Sequence, residues 1–260
     1  MTQGVDARSF EAVLRDALPG QLRGLPLFFY DSIDSTNSQA KRLLASGDLA
    51  APAVVVATQQ EAGRGRQGRM FNSPPGGLYM SYVIPHDAVA DPELLTPAVA
   101  VATRRAIMNL APRLDPGIKW VNDIFLGDRK LAGILCETSG DTAPFVIGIG
   151  VNVTVKQALI PQTATSLSSH TLRPPQPGML CAAIIANLDA IMRDFDPSAL
   201  IDEYKQASTL LGREVECDWD STEPYTATAI DIDERARLFL RLHDGSIRIL
   251  HSGDVRVRSL

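Results

Sequence analysis

The sequence predicts an α+β protein in two parts: helices and strands interspersed as far as about Leu211, then a small antiparallel barrel of SH3-like size. Strand-period and helix-period segments follow one another through most of the chain. After Gly212 only short strand-like runs with tight turns remain. At 260 residues, 45% hydrophobic and 21% charged, the chain is long enough for one substantial core and a small appendage.

A short amphipathic helix is expected from Arg8 to Leu18, closed by Pro19-Gly20. Leu27 to Ile33 reads as a strand, and Asp34-Ser35-Thr36 supplies N-cap chemistry for a helix with Ala40, Leu43 and Leu44 on one face. Val54 to Ala57 is a β-branched strand. Leu78, Met80, Tyr82 and Ile84 alternate with Tyr79, Ser81 and Val83, again strand periodicity. Pro92, at an N1 position, opens a long helix to about Leu110. Strands are expected at Ile118–Val121, Ile124–Leu126, Leu131–Glu137 and Phe145–Val153, with Gly127-Asp128 as a tight turn. Two helices follow, Pro177 to Phe195 and Pro197 to Leu210. The barrel strands are Val215–Trp219, Tyr225–Ile232, Leu238–Leu242 and Ile247–His251, with Asp244-Gly245 as a hairpin turn.

The balance of 25 basic against 30 acidic residues gives a net charge of −5, which argues against nucleic acid as the main partner. Cys136, Cys181 and Cys217 are widely spaced, as expected of reduced, buried thiols in the cytosol. Met1 to Arg8 is polar with no apolar run behind it, and no apolar stretch is long enough to span a bilayer. The expected location is the cytoplasm. His86, His170, His243 and His251 lack ligand spacing, so a protein-held metal centre is not expected.

The most telling segment is Gly63-Arg64-Gly65-Arg66-Gln67-Gly68-Arg69. Glycine permits close backbone approach and φ > 0, and arginine offers a planar fork of donors for phosphate or carboxylate oxygens. Such a loop is suited to closing over a small anion. Its spacing also fits G-x-G-x-x-G, but Asn72, Ser73, Pro74 and Pro75 follow where a dinucleotide fingerprint needs a helix, and no Gly-Lys-Ser/Thr makes it a P-loop. Three further clusters stand beside it: Ser35-Thr36-Asn37, Lys119 to Asp123 followed by Lys130 to Glu137, and Gly148-Ile149-Gly150-Val151-Asn152. Taken singly, each has an ordinary reading. Ser35 or Thr36 is a helix cap, Asn122-Asp123 a hairpin turn, Lys130 a surface charge, and Gly148 and Gly150 relieve packing.

Taken together and in this order, the clusters resemble the biotin protein ligases, over nearly all of the chain from about Leu27. The specific parts are Ser35-Thr36-Asn37, Gln60 to Arg69, Ser73-Pro74-Pro75-Gly76-Gly77-Leu78-Tyr79, Lys119 to Asp123 and Lys130 to Glu137. The resemblance implies a mixed sheet flanked by helices, of class II synthetase and biotin/lipoate ligase type, as a catalytic biotin- and ATP-binding domain over residues 1–211, with the SH3-like barrel over 212–260. It implies ATP and Mg as co-substrates, biotin as substrate, biotinyl-5′-AMP as intermediate, no permanently bound cofactor, and a lysine of a biotin carboxyl carrier domain as acceptor. A homodimer is left open. Only one short helix fits before Leu27, so the type without an N-terminal DNA-binding domain is expected.

By the same resemblance Lys130, Arg64, Arg66 and Asp123 are the catalytic candidates. Ser35, Thr36, Asn37, Gln60, Gly63, Gly65 and Gly133 join Arg64, Arg66 and Lys130 around biotin. Arg66, Arg69, Trp120, Asn122 and Asn152 are assigned to the nucleotide, with Trp120 equally a packing residue. Asp123 is assigned either to Mg or to deprotonating the incoming lysine. Two positions depart from the family pattern: Val121 stands where proline is usual, and Phe71 where tryptophan is common. The alternatives are a lipoate or octanoyl ligase or transferase, a biotin-responsive DNA-binding repressor, and an RNA-binding module. The arginine-glycine loop with the barrel, the short N-terminal segment and the acidic balance weigh against them in turn.

Overall fold

β-Branched and aromatic runs build a mixed seven-stranded sheet in the computed structural model, which describes residues 7–217, 224–251 and 255–257. Its strands are β1 (Leu27–Tyr30), β2 (Ala53–Ala57), β3 (Gly77–Ile84), β4 (Gly117–Lys119), β5 (Asp123–Leu126), β6 (Arg129–Glu137) and β7 (Phe145–Asn152). They lie in the order β1-β2-β3-β7-β6-β5-β4. The β1–β2 pair is parallel and the rest are antiparallel.

The period-two alternation of these strands sorts their side chains onto two covered faces. Val54, Val56, Leu78, Met80, Tyr82 and Ile84 join one large core with the helices α1 (Ala7–Ala17), α3 (Leu95–Leu110) and α4 (Pro177–Arg193). Ala53, Val55, Val83 and Val146 face the opposite way, onto Ala40 of α2 (Thr36–Ser46). β2 is therefore buried on both sides and reads as an unbroken apolar run.

Boundaries differ from the sequence expectation where local pairing intervenes. The Pro92 helix opens with a 3₁₀ turn, Pro92–Leu94, with Asp91 capping Glu93 N–H, before α3 begins at Leu95. α5 (Pro197–Gln206) stops short of Leu210 because Ile118 N–H donates to Ala207 O and Thr209 N–H to Ile118 O, which draws the following residues beside β4. β4 ends at Lys119, and the chain turns through Trp120, Val121 and Asn122 into β5; the Trp120–Val121 peptide is cis.

The SH3-like unit is a five-stranded antiparallel sheet. Its strands β8 (Glu214–Cys217), β9 (Tyr225–Ile232), β10 (Leu238–Arg241), β11 (Ile247–Leu250) and β12 (Val255–Val257) run in the order β11-β10-β9-β8-β12. β12 is absent from the sequence expectation, and Asp218 and Trp219, the expected end of its first strand, lie outside the described residues. The Asp244-Gly245 turn forms as expected, with Gly245 at φ 85°. The inner face of this sheet belongs to the same apolar cluster as α3 and α4. Trp120 Nε1 donates to Ala236 O at 2.7 Å, and Lys205 pairs with Asp231 at 2.8 Å. The three cysteines are unpaired, and burial pushes the Cys136 thiol up to about 12. No helix among the described residues is long and apolar enough to cross a membrane.

Candidate active site

One open cleft, with a cavity volume of about 120 Å³, lies where the arginine-glycine loop meets β6, β7 and the turn between β4 and β5. The loop is ordered by its own small ladder. Arg64 bridges Met70, Gly65 N–H donates to Arg69 O at 2.8 Å, and Phe71 N–H donates to Gly63 O at 2.9 Å. Gln67 and Gly68 turn it over, at φ 57° and 74°. Arg64, Gly65, Arg66 and Arg69 all line the cleft. Gly63 does not. It lies against Phe71 O and Ser73 Oγ, at 2.3 and 2.6 Å from where a Cβ would stand, so no other residue fits beneath the loop.

Neutral polar groups gather at one end of the cleft. Ser35 caps α2, accepting from Ser38 N–H, so its ordinary role as a cap is fulfilled as it lines the wall. Gln60 Oε1 accepts from Thr36 N–H at 2.8 Å, and its Nε2 donates to Ser73 Oγ at 2.7 Å. Asn37, 3% exposed, is held on three sides. Its Nδ2 donates to Leu135 O and to Glu137 Oε2, and its Oδ1 accepts from Ser81 Oγ at 2.6 Å. Both amide protons are thus committed to the protein, and Asn37 shapes the wall by fixing its neighbours.

Charge gathers at the other end. Lys130 Nζ pairs with Asp123 Oδ1 at 2.7 Å, the side chains being 32% and 19% exposed. β5 and β6 are neighbours joined by a two-residue turn at Gly127-Asp128, which sets Lys130 opposite Phe125; an irregularity between Ile124 and Phe125 then places Asp123 opposite Gly133. Asn122 is locked by reciprocal bonds with Ile134, donating from Nδ2 to its carbonyl at 2.8 Å and accepting its N–H at 2.9 Å. Arg66 Nη1 reaches Asn122 Oδ1 at 3.4 Å, tying the loop to this turn. Lys130 itself is clamped through its backbone, its N–H donating to Thr163 O and its carbonyl accepting from Thr165 N–H, both at 2.8 Å.

Between the two ends, Gly133 and Gly150 face each other across β6 and β7. The Phe71 ring rests on both, 3.1 and 2.5 Å from where their Cβ atoms would be, and Lys130 Nζ lies 5.6 Å from its centroid. Side chains at these two positions would fill the trough.

Asn152 lies outside the cleft lining. Its Nδ2 donates to Thr165 O, while its buried Oδ1 has no partner among the described residues. Trp120 lines the cleft while its N–H is spent on Ala236. Sequence reasoning missed Glu137 and Tyr204. Tyr204 is fully buried on α5, and its hydroxyl donates to Val121 O at 2.9 Å, bracing the turn that carries Asn122 and Asp123. A lone tyrosine on an amphipathic helix has no sequence signal for this.

A biotin–[acetyl-CoA-carboxylase] ligase of Mycobacterium tuberculosis is 30% identical over 256 residues, covering 94% of each chain. This chain belongs to the biotin protein ligase family. It is accordingly an enzyme, a ligase. The profile of the Biotin/lipoate A/B protein ligase family matches residues 29–153, which span β2, β3, the cleft loop and β4 to β7. Among solved structures, a biotin protein ligase from Aquifex aeolicus in complex with biotin and ATP superposes with a TM-score of 0.76 at 23% identity, covering 90% of this chain and 98% of that one. The Leishmania major enzyme in complex with biotinyl-5-AMP gives 0.63 at 26% identity, covering 86% and 98%. The family fold matches the architecture found here, mixed sheet and small C-terminal sheet alike.

Proposed function

We propose that this ligase joins biotin to ATP as biotinyl-5′-AMP and then passes the biotinyl group to a lysine of a biotin carboxyl carrier domain. In the first step a biotin carboxylate oxygen attacks the α-phosphorus and pyrophosphate leaves. In the second, the carrier lysine nitrogen attacks the acyl carbon, AMP leaves, and the amine loses a proton.

The observation that carries this is the convergence of a guanidinium-bearing loop and the Lys130–Asp123 pair over a glycine-floored trough. Two anions must approach in the first step, and unit charges about 4 Å apart interact by roughly 4 kcal/mol at an effective dielectric near 20. Arg64 and Arg66, with Arg69, offset that repulsion, and Lys130 stabilises charge at the acyl-phosphate junction electrostatically. Ser35, Thr36 and Gln60 offer uncharged donors and acceptors suited to a ureido ring. Gly65 and Gly133 let backbone approach the acyl chain. At the nucleotide end Trp120 lines the cleft, and Asn152, buried outside the lining, supports the Thr165 carbonyl from behind it.

Magnesium would enter with the nucleotide. Asn122 and Asp123 are oxygen donors of the kind it takes, but among the described residues Asp123 is the one carboxylate lining the cleft and is paired with Lys130, so phosphate oxygens would fill most of the shell. Bound there, the metal would neutralise phosphate charge. Asp123→Asn is expected to slow adenylate formation while leaving transfer from preformed biotinyl-5′-AMP within about ten-fold. A transfer rate lowered by about 10² or more would instead make Asp123 the base for the carrier lysine.

The acceptor is proposed to be acetyl-CoA carboxylase or another biotin-dependent carboxylase, and the site of action the cytoplasm. Residues 1–211 are proposed as the catalytic unit and 212–260 as the barrel unit. ATP–pyrophosphate exchange with biotin against lipoate tests the substrate, and mass spectrometry of a carrier domain incubated with the protein, biotin and Mg-ATP tests the transfer. Lipoate-dependent exchange without biotin-dependent exchange would overturn the assignment.

A further inference from the structure

Glu137 ends β6 behind the cleft wall, not among the cleft-lining residues, and gathers side chains from α2 and from the arginine-glycine loop. Its Oε1 accepts from Lys41 Nζ at 2.6 Å and lies 3.7 Å from Arg64 Nη2; its Oε2 accepts from Asn37 Nδ2 at 2.8 Å. The Glu137 side chain is 18% exposed and that of Arg64 49% exposed. Burial alone would raise its carboxyl, but Lys41, Asn37 and Arg64 outweigh burial and hold it below the usual carboxylate range.

The two cations share Oε1 unequally. Lys41 takes a charge-assisted hydrogen bond, whereas Arg64 stands beyond hydrogen-bond reach and feels only the charge. Glu137 therefore attracts the guanidinium without consuming its donors, which stay available to an anion in the cleft.

We propose that Glu137 is a positioning residue for adenylate formation: its charge draws Arg64 to the cleft mouth, and Lys41, by neutralising the same oxygen, limits that pull. The proposal rests on the role given to Arg64 under the proposed function. It predicts effects of opposite sign. Glu137→Gln keeps the hydrogen-bonding shape around Asn37 but drops the charge, so the loop is less firmly held. Lys41→Gln leaves the carboxylate to Arg64 alone, so the loop is held more firmly.

Limited trypsin digestion of the full, ligand-free chain reads this out, since Arg64 and Arg69 are exposed and are themselves trypsin sites. Cleavage within Arg64–Arg69 is expected to be about two- to five-fold faster in Glu137→Gln and slower than wild type by a similar factor in Lys41→Gln, the range an ion pair of this exposure supports. The KM for biotin in pyrophosphate exchange should follow the same order, raised in the first variant and lowered in the second. A merely structural Glu137 makes both variants cleave faster, and that result, or no change in either, overturns the proposal. Should Glu137→Gln lose its cooperative thermal transition, Lys41→Gln alone decides by the sign of its effect. If the wild type shows no biotin-dependent exchange, the proposed function falls while the proteolysis order still tests the tether.

Discussion

Replacing Lys130 by Met is expected to lower biotin-dependent ATP–pyrophosphate exchange by about 10²- to 10³-fold, the usual effect of removing one preorganised group that stabilises charge in the transition state. The ammonium is held by a side-chain partner, and the residue that carries it by a backbone clamp. Asp123 fixes its Nζ at 2.7 Å, and Thr163 and Thr165 bond its N–H and carbonyl. Its position is thus set before substrate arrives, so the electrostatic role proposed for it would cost little rearrangement. Methionine keeps an unbranched apolar stem as far as Cε and removes only the charged end, so far-ultraviolet circular dichroism and a cooperative melt should persist. Exchange at the wild-type rate in a folded Lys130→Met protein would remove Lys130 from the mechanism.

Gly148→Ala is expected to damage the fold itself. An alanine Cβ there would lie 2.4 Å from Asn37 Oδ1 and 2.9 Å from its Nδ2. The amide cannot swing aside cheaply, because Ser81, Leu135 and Glu137 hold it in place. Overpacking of this kind costs about 1–3 kcal/mol, and breaking one of those bonds adds to it, which for a chain of this size lowers Tm by roughly 4–10 °C. Gly140→Ala is the control, since nothing lies within 4 Å of its Cβ, and its Tm should match wild type. Equal melting of the two variants would mean that the sheet yields at Gly148.

The parts of the molecule that were legible in the sequence share a physical character. Strands with strict alternation, such as Leu78 to Ile84, were legible because both faces of the sheet are covered and each side chain has one place to go. Turns that need a left-handed residue, at Gly127 and Gly245, announced themselves through glycine. The cleft was legible as a set of motifs, in that Gln60, Arg64, Arg66, Asn122, Asp123 and Lys130 come from separate motifs and line one space. What stayed hidden depends on neighbours remote in sequence. α5 ends early because β4 captures the following residues, and Tyr204 braces the Val121 turn from 83 positions away. Glu137 closes a motif, yet its partners Lys41 and Asn37 sit on α2. Asn37 looked like a ligand-binding amide, and only the folded arrangement shows its protons already spent.

The bond from the Trp120 indole to the Ala236 carbonyl bears on how the enzyme can be dissected. Were the chain severed after Leu211, that donor would be stranded in an apolar wall and the packing shared by α3, α4 and β9 would be laid open to water. The tailpiece is mortared into the same wall of the cleft that Trp120 lines. Amputation should therefore cost catalysis as well as solubility, and the two halves are better regarded as one machine than as interchangeable cassettes.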